Sequence, residues 1–311
     1  MPPEGITRAA EVTPRYTTCM TMTHRTFGIN LELVPAERAT IPFTDLIVRR
    51  AYGAFDFLRV VDGVPLFIDD HLARFQRSAD LLDLSPRPTH EALKRHVADV
   101  IDANGPGDFG IQLFLTGGDP TDNFSPTTPR TLVLVDDLAP YPASDYANGV
   151  SILTHRYVRD LPEAKTTNYF TAVRHARTLR EAGAADLLYH DGTHALETTR
   201  CNLFVADRTG TLHTAADGML PGVTRRRVLR ALDGDTPVAV GPVTMDSLWD
   251  APEVFLTSTT KGVMPVVRID DHTVGDGVPG PITRHAMEQF GRHRDAWLAE
   301  HDAVWRGTPA S

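Results

Sequence analysis

Lysine is scarce in this chain: Lys94, Lys165 and Lys261 are the full complement among 31 basic side chains, the other 28 being arginine. A lysine therefore stands where arginine was readily available. Arginine cannot replace lysine as a nucleophile, because its guanidinium stays protonated. Cysteine is scarcer still, with Cys19 and Cys201 far apart and outside any metal-ligand spacing. That argues against a disulfide framework and a zinc site, and makes a reducing cytoplasm the expected compartment. No apolar run reaches the ~18 residues of a membrane span. The first residues lack the apolar core of a signal peptide, and residues 1–22 read as a poorly ordered extension. Basic excess is lacking too: the net charge is −9, with acids spread along the chain, which argues against a nucleic-acid surface.

What remains is an ordinary globular composition, 41% hydrophobic, in a length of 311 residues that favours two domains. The reading divides the chain into a small N-terminal domain over 23–137, a linker over 138–144 (LAPYPAS) and a larger domain over 145–311. Strands are predicted at RTFGINLEL, ATIPFTDLIV and the run from Arg49 to Val61, which turns at Asp62-Gly63 into VPLFI. Asp69 or Asp70 is expected to cap a helix, HLARFQRSADLLDL, with Leu72, Phe75, Ala79 and Leu82 inward. A second helix, THEALKRHVADVIDAN, precedes strands IQLFLT and RTLVLVDD. In the second block come strand VSILTHRYV, the segment LPEAKTTNY, a helix to about Ala182 and two hairpins. The loop GMLPGVT opens an Arg-rich helix; strand EVFLTS, the loop TTKGVMP, strand VVRID and a helix from Thr283 follow. Strands and helices alternating in two blocks predict an α/β (α+β) fold.

Three features share one chemistry. Lys165 lies between a strand and a helix and can act as a covalent amine. Glu197 ends a hairpin strand, where a carboxylate could keep a pyridine nitrogen protonated. Arg74, the glycine-led helix start at Val223-Thr224, and Thr259 after an apolar strand offer a phosphate cradle. Together with YGAFDFLRV, HLARFQRSA, KTTNY, GAADLLYHDGTHALETTRCNLFV, LPGVTR and VFLTSTTKGVMPV, in that order from Tyr52 to Ile269, they carry a resemblance. The chain resembles the fold-type IV (class IV) aminotransferases, which use pyridoxal 5'-phosphate. The resemblance implies a two-domain fold with the cofactor between the domains, and a homodimer whose sites draw on both subunits. It implies Lys165 as Schiff-base lysine and proton shuttle, and Glu197 at the ring nitrogen. Tyr169 would meet the ring hydroxyl, with Arg74, Val223 (through its N–H), Thr224 and Thr259 on the phosphate.

At the substrate end, aligning TGGDPTDNFSP with the D-amino-acid transaminases puts Asp122 and Phe124 where those enzymes carry a carboxylate-binding Arg and His. The pattern of Arg50 before AYGAF and Arg200 three residues after Glu197 is similar to a less usual branch of those transaminases, in which two arginines grip the carboxylate. Phe55 and Thr260 would line the same pocket. The expected reaction moves the amino group of a D-amino acid (D-alanine, D-glutamate) to 2-oxoglutarate or pyruvate. A branched-chain L-aminotransferase and aminodeoxychorismate lyase are the alternatives on this fold.

Other conspicuous residues receive plainer readings. Lys94 is expected on a solvated helix face, and Lys261 at a cavity rim. His71 is expected to support Arg74 from the same helical face. Cys201 should pack as a small buried residue, and GGDPTDN does not follow calcium-loop spacing.

Overall fold

The structure, a computed structural model, describes residues 25–305; the expected extension over 1–22 and Cys19 lie outside the described residues. The first block holds β1 (Thr26–Ile29), β2 (Glu32–Pro35), α1 (Leu46–Arg50), β3 (Gly53–Val61), β4 (Val64–Pro65), α2 (Ile68–Leu81), α3 (His90–Asn104), β5 (Phe109–Thr116) and β6 (Thr131–Asp137). Its antiparallel sheet runs β2-β1-β6-β5-β3-β4. Alternate residues of β3 and β5 face α2 and α3, so Leu58, Val60, Ile111 and Leu113 meet Leu72, Phe75, Leu93 and Val97 in one core.

α4 (Ala143–Asn148) leads into β7 (Val150–Arg156), α5 (Phe170–Glu181), β8 (Asp186–His190), β9 (Ala195–Thr198), β10 (Asn202–Ala206) and β11 (Leu212–Thr214). Then follow α6 (Val223–Ala231), β12 (Val238–Val240), α7 (Met245–Trp249), β13 (Glu253–Ser258), β14 (Gly262–Ile269), β15 (His272–Thr273) and α8 (Pro281–Trp305). The second sheet runs β12-β11-β10-β13-β14-β7-β8-β9, with β15 on β14. A pairing of Glu197 with Asn202 joins β9 back to β10, so the strands between them close into a ring. Glu197 stands at that closure. α8 then returns to the first block, where Trp297 meets the ring of Phe67 edge-on at 5.0 Å. Among the described residues no helix is long and apolar enough to cross a membrane.

Four local expectations are corrected. ATIPFTDLIV does not form a strand: its Leu-Ile-Val run lies in α1, because the Asp45 carboxylate accepts the Ile47 N–H at 2.9 Å as an N-cap. That buried carboxylate is itself fixed by the Thr116 hydroxyl at 2.7 Å and Arg130 at 2.6 Å. α2 is capped by neither Asp69 nor Asp70; it opens after Phe67, which takes a left-handed φ of 57° as its ring packs into the core around α8. Asp70 instead receives Arg226 and Arg227 of α6, tying the two blocks together. The expected linker ends in the start of α4 at Ala143. β14 begins at Gly262, so only Thr259, Thr260 and Lys261 separate it from β13.

Candidate active site

A cavity of about 300 Å³ opens between the two sheets, at the lower end of the ~300–1,000 Å³ usual for small-molecule sites. Lys165, Tyr169, Glu197, Arg74, Val223, Thr224, Thr259, Thr260, Phe55 and Arg200 all line it. These residues come from both blocks.

Lys165 belongs to the second block in sequence, but its backbone is held by the first. The Phe55 N–H donates to the Lys165 carbonyl at 2.9 Å, and the Thr167 N–H to the Gly53 carbonyl at 3.0 Å, so the segment lies against β3 as a short added strand. The Lys165 N–H donates to the Ser78 hydroxyl at 3.0 Å, and that hydroxyl donates to the Arg74 carbonyl at 2.9 Å. One buried serine of α2 thus bridges the lysine and the arginine. The Lys165 ammonium is pushed down to about 7, first by removal from bulk water and then by the charge of Arg74. A substantial neutral fraction at pH 7 makes it a competent nucleophile.

Arg74 is aimed by a fully buried carboxylate. Asp56 of β3 accepts both its Nε and one Nη at 2.8 Å, and takes the His71 ring nitrogen at 2.7 Å. Burial alone would raise the Asp56 carboxyl; the Arg74 and His71 charges hold it well below the carboxylate range. The fork leaves the second Nη of Arg74 for an anion.

Across the cavity α6 starts at Gly222 with no side-chain cap, so the first N–H groups, including those of Val223 and Thr224, are open to an anion. A side chain at 222 would displace the Asn202 side chain, since its Cβ would lie 1.9 Å from the Asn202 amide oxygen. That amide in turn donates to the Leu220 carbonyl at 2.8 Å and shapes the approach to α6.

Glu197 is buried at the closure of the ring, accepting Arg159 Nε at 2.8 Å and the Leu220 N–H at 3.0 Å. Burial pushes its carboxyl up, while Arg159 pulls the other way. Arg159 was not singled out in the sequence, though it also donates to the Ala164 carbonyl at 3.0 Å and so frames the lysine segment. Its only signal is its place six residues before Lys165. Tyr169 stands edge-on to Phe55 with centroids 5.5 Å apart, its hydroxyl pushed up to about 12 by burial.

Arg200 sits at the tip of a tight turn whose ends are joined by the Thr198 N–H to the Cys201 carbonyl at 2.8 Å. Arg50 is not brought to this cavity: it ends α1, exposed, with its guanidinium carbon 5.8 Å from the centroid of Phe124. Asp122 accepts the N–H groups of Phe124 and Ser125 at 3.0 and 2.8 Å, so it staples its own loop. Lys261 is the clearest departure from expectation. It is 3% exposed, with its ammonium 3.4 Å from Asp186, far from a rim position. Cys201 is buried as expected, and Lys94 donates to Asp69 at 2.8 Å on the surface. His71 reaches Arg74 chiefly through Asp56, its ring nitrogen lying 3.4 Å from that guanidinium. Among the described residues no His/Cys/Asp/Glu group could hold a metal ion.

These residues fit pyridoxal 5'-phosphate. A covalent amine, a buried carboxylate on the wall, an uncapped helix start and an arginine fork converge on one cavity. The Thr257 hydroxyl in the same wall is buried without a partner.

Comparison with known proteins agrees with that fit. The model of the family described as Amino-transferase class IV matches residues 53–269. A D-alanine aminotransferase of Bacillus licheniformis is 30% identical over 242 residues, covering 76% of this chain and 85% of that protein. A branched-chain-amino-acid aminotransferase-like protein of Arabidopsis thaliana is 28% identical over 281 residues, covering 85% of this chain and 49% of its own length. Among solved structures, a T.th. branched-chain amino acid aminotransferase with pyridoxamine 5'-phosphate superposes with a TM-score of 0.80 at 24% identity. The match covers 89% of this chain and 97% of that one. At that identity the likeness speaks for the fold.

Proposed function

The chain belongs to the class IV aminotransferases, enzymes that use pyridoxal 5'-phosphate, and we propose that within this family it moves the amino group of a D-amino acid to a 2-oxo acid. When bound, the cofactor supplies an electrophilic carbon and an electron-accepting ring. In this reading Lys165 would hold it covalently, and its amine, when free, would take up and return a proton of the substrate. A group near neutrality can both take and return a proton, and the depressed Lys165 suits that shuttle. Glu197, fixed by Arg159, would pair with the ring nitrogen and keep it protonated. Arg74, Thr224, Thr259 and the Val223 N–H would hold the phosphate, and Tyr169 would meet the ring hydroxyl.

Arg200 carries the choice of substrate. It lines the cavity beside Thr199 and Thr260, where its guanidinium would pair with an α-carboxylate. The similarity to D-alanine aminotransferase supports the D-side reading, with D-alanine or D-glutamate as donor and 2-oxoglutarate or pyruvate as acceptor. Arg50 would serve such a site across a homodimer interface. Phe43, Phe124 and Val48 of the same block are 81%, 76% and 54% exposed, which supports a covering partner. The apolar wall of Phe55 and Phe57 favours branched-chain L-amino acids as the second reading. A coupled assay with 2-oxoglutarate separates them. D-alanine should react and L-leucine should not; turnover of L-leucine without D-alanine would refute the first reading.

A further inference from the structure

Two loops border the cavity, Thr199–Cys201 after β9 and Thr259–Lys261 after β13, and each ends in a nucleophile. Cys201 is 3% exposed, yet it forms part of the cavity wall together with Thr199, Thr259 and Thr260. A molecule small enough to enter the cavity therefore meets its sulfur. The Lys261 ammonium, on a side chain equally buried, lies 3.5 Å from that sulfur. Asp186 joins them: one carboxylate oxygen accepts the Cys201 thiol at 3.6 Å and stands 3.4 Å from the ammonium. Both backbones are pinned. The Cys201 N–H donates to the Thr198 hydroxyl at 3.0 Å, and the Lys261 carbonyl accepts the Tyr146 hydroxyl at 3.0 Å. Thiol, amine and carboxylate thus share one buried contact, and nothing in the reading of Lys165, Glu197 and the phosphate cradle uses any of the three. Arginine at 261 could also pair with Asp186, but its guanidinium is a poor nucleophile. Lysine supplies a second reactive atom beside the sulfur.

We propose that Cys201 and Lys261 form an oxidative modification site, in which hydrogen peroxide entering the cavity converts the thiol to a sulfenic acid and the Lys261 amine then closes a sulfenamide bond to the same sulfur. In the first step the peroxide O–O bond breaks and an S–O bond forms; sulfur gives up two electrons, the peroxide is reduced, and water leaves. In the second step the ammonium passes one proton to Asp186. The amine nitrogen then bonds to sulfur as the S–O bond breaks, and the hydroxyl leaves as water with another nitrogen proton. No further oxidant is consumed. External thiol reverses the bond, first displacing the amine and then freeing the Cys201 thiol. While it lasts, the bond ties the two loops together, spends the Lys261 charge and leaves Asp186 protonated. Thr199, Thr259 and Thr260 in the cavity wall shift with those loops, so the enzyme is switched off by peroxide and restored by thiol.

The test treats the holoenzyme with hydrogen peroxide and maps its tryptic peptides by mass spectrometry. Trypsin should no longer cut after Lys261, and the peptide that begins at Cys201 should be joined to the one that contains Lys261, two hydrogens lighter than the separate pair. Aminotransferase activity should fall on the order of tenfold as the joined peptide appears. Dithiothreitol should separate the peptides and restore the activity. Cys201→Ser should form no joined peptide and keep its own activity through the same treatment. Lys261→Arg should form none either, and its Cys201 should instead persist as a sulfenic acid that dimedone traps. The proposal is overturned if Lys261 is still cut while Cys201 carries only added oxygen, or if Cys201 is found in a disulfide with Cys19. It is equally overturned by an unmodified Cys201 at doses that oxidise methionines of the same chain, or by a joined peptide at full activity. If Lys261→Arg does not fold, the parent and Cys201→Ser decide between them. The peptide map does not depend on which amino acid the enzyme takes, so failure of the D-amino-acid reading is a separate result.

Discussion

Replacing Lys165 by methionine should stabilise the cofactor-free protein, and by an amount that depends on pH in one direction only. The amine's ordinary value is 10.5, and the fold lowers it to about 7. Between those values the unfolded chain binds a proton that the folded chain does not, so the lysine's drag on stability weakens as pH rises through this window. At ~1.4 kcal/mol per pH unit the drag below pH 7 is at most about 5 kcal/mol, and relaxation around a buried charge reduces it to roughly 3. Lys165→Met removes it. Urea unfolding of both apoproteins should therefore show the variant about 3 kcal/mol more stable at pH 7, the gain shrinking by about 1 kcal/mol per pH unit towards pH 9.5. A gain that stays flat with pH, or a loss at pH 7, would refute the claim that the cavity holds this amine near neutrality by desolvation and the Arg74 charge.

Three further outcomes follow from the same contacts. Arg74→Ala should weaken binding of pyridoxal 5'-phosphate about 10–100-fold, from the loss of roughly 1.5–3 kcal/mol of charge-assisted bonding, and leave unphosphorylated pyridoxal unaffected in equilibrium dialysis. It should also destabilise the fold by about 3–5 kcal/mol through the bared Asp56, a loss that Asp56→Asn recovers in part without restoring phosphate affinity. Glu197→Gln should lower kcat on the order of 10²-fold while the cofactor stays bound, measured by single-turnover absorbance changes. Ser78→Ala orphans the Lys165 N–H and should cost about 1–3 kcal/mol in thermal or urea unfolding, with faster amide exchange at Lys165.

The parts of the site carried by short motifs were legible because each role needs a residue type beside a particular local shape. Lys165 before a helix, Glu197 at a strand end and Val223-Thr224 after glycine all answer to that rule, and all reach one cavity. Groups defined by a distant partner were not legible. Arg159 matters through Glu197, 38 residues away. The burial of Lys261 depends on Asp186, 75 residues earlier. Nothing local to TTKGVMP distinguishes a rim lysine from one folded inward. Arg50 differs in the opposite way: its motif context is local, but the end of α1 places it away from this cavity. α1 was misread because Leu-Ile-Val favours strands, and the cap that overrides this preference depends on Thr116 and Arg130 from elsewhere in the chain.

Why the cavity needs both sheets follows from where its charges are anchored. Three of the groups that would face the cofactor are held by a counter-charge or by backbone: Arg74 by Asp56, Glu197 by Arg159, and the Lys165 backbone by β3 and Ser78. The nucleophile's segment is covalently part of the second block, but its register is set by hydrogen bonds to Gly53 and Phe55 in the first. Arg74 faces the α6 start across the cavity, and Asp70, one turn before it on α2, grips Arg226 and Arg227 on α6 itself. The same helix pair thus sets the width of the proposed phosphate cradle and joins the two blocks. A change that loosened the Asp70 contacts would widen the cradle before it disturbed either core, so phosphate affinity should fall while the sheets stay intact.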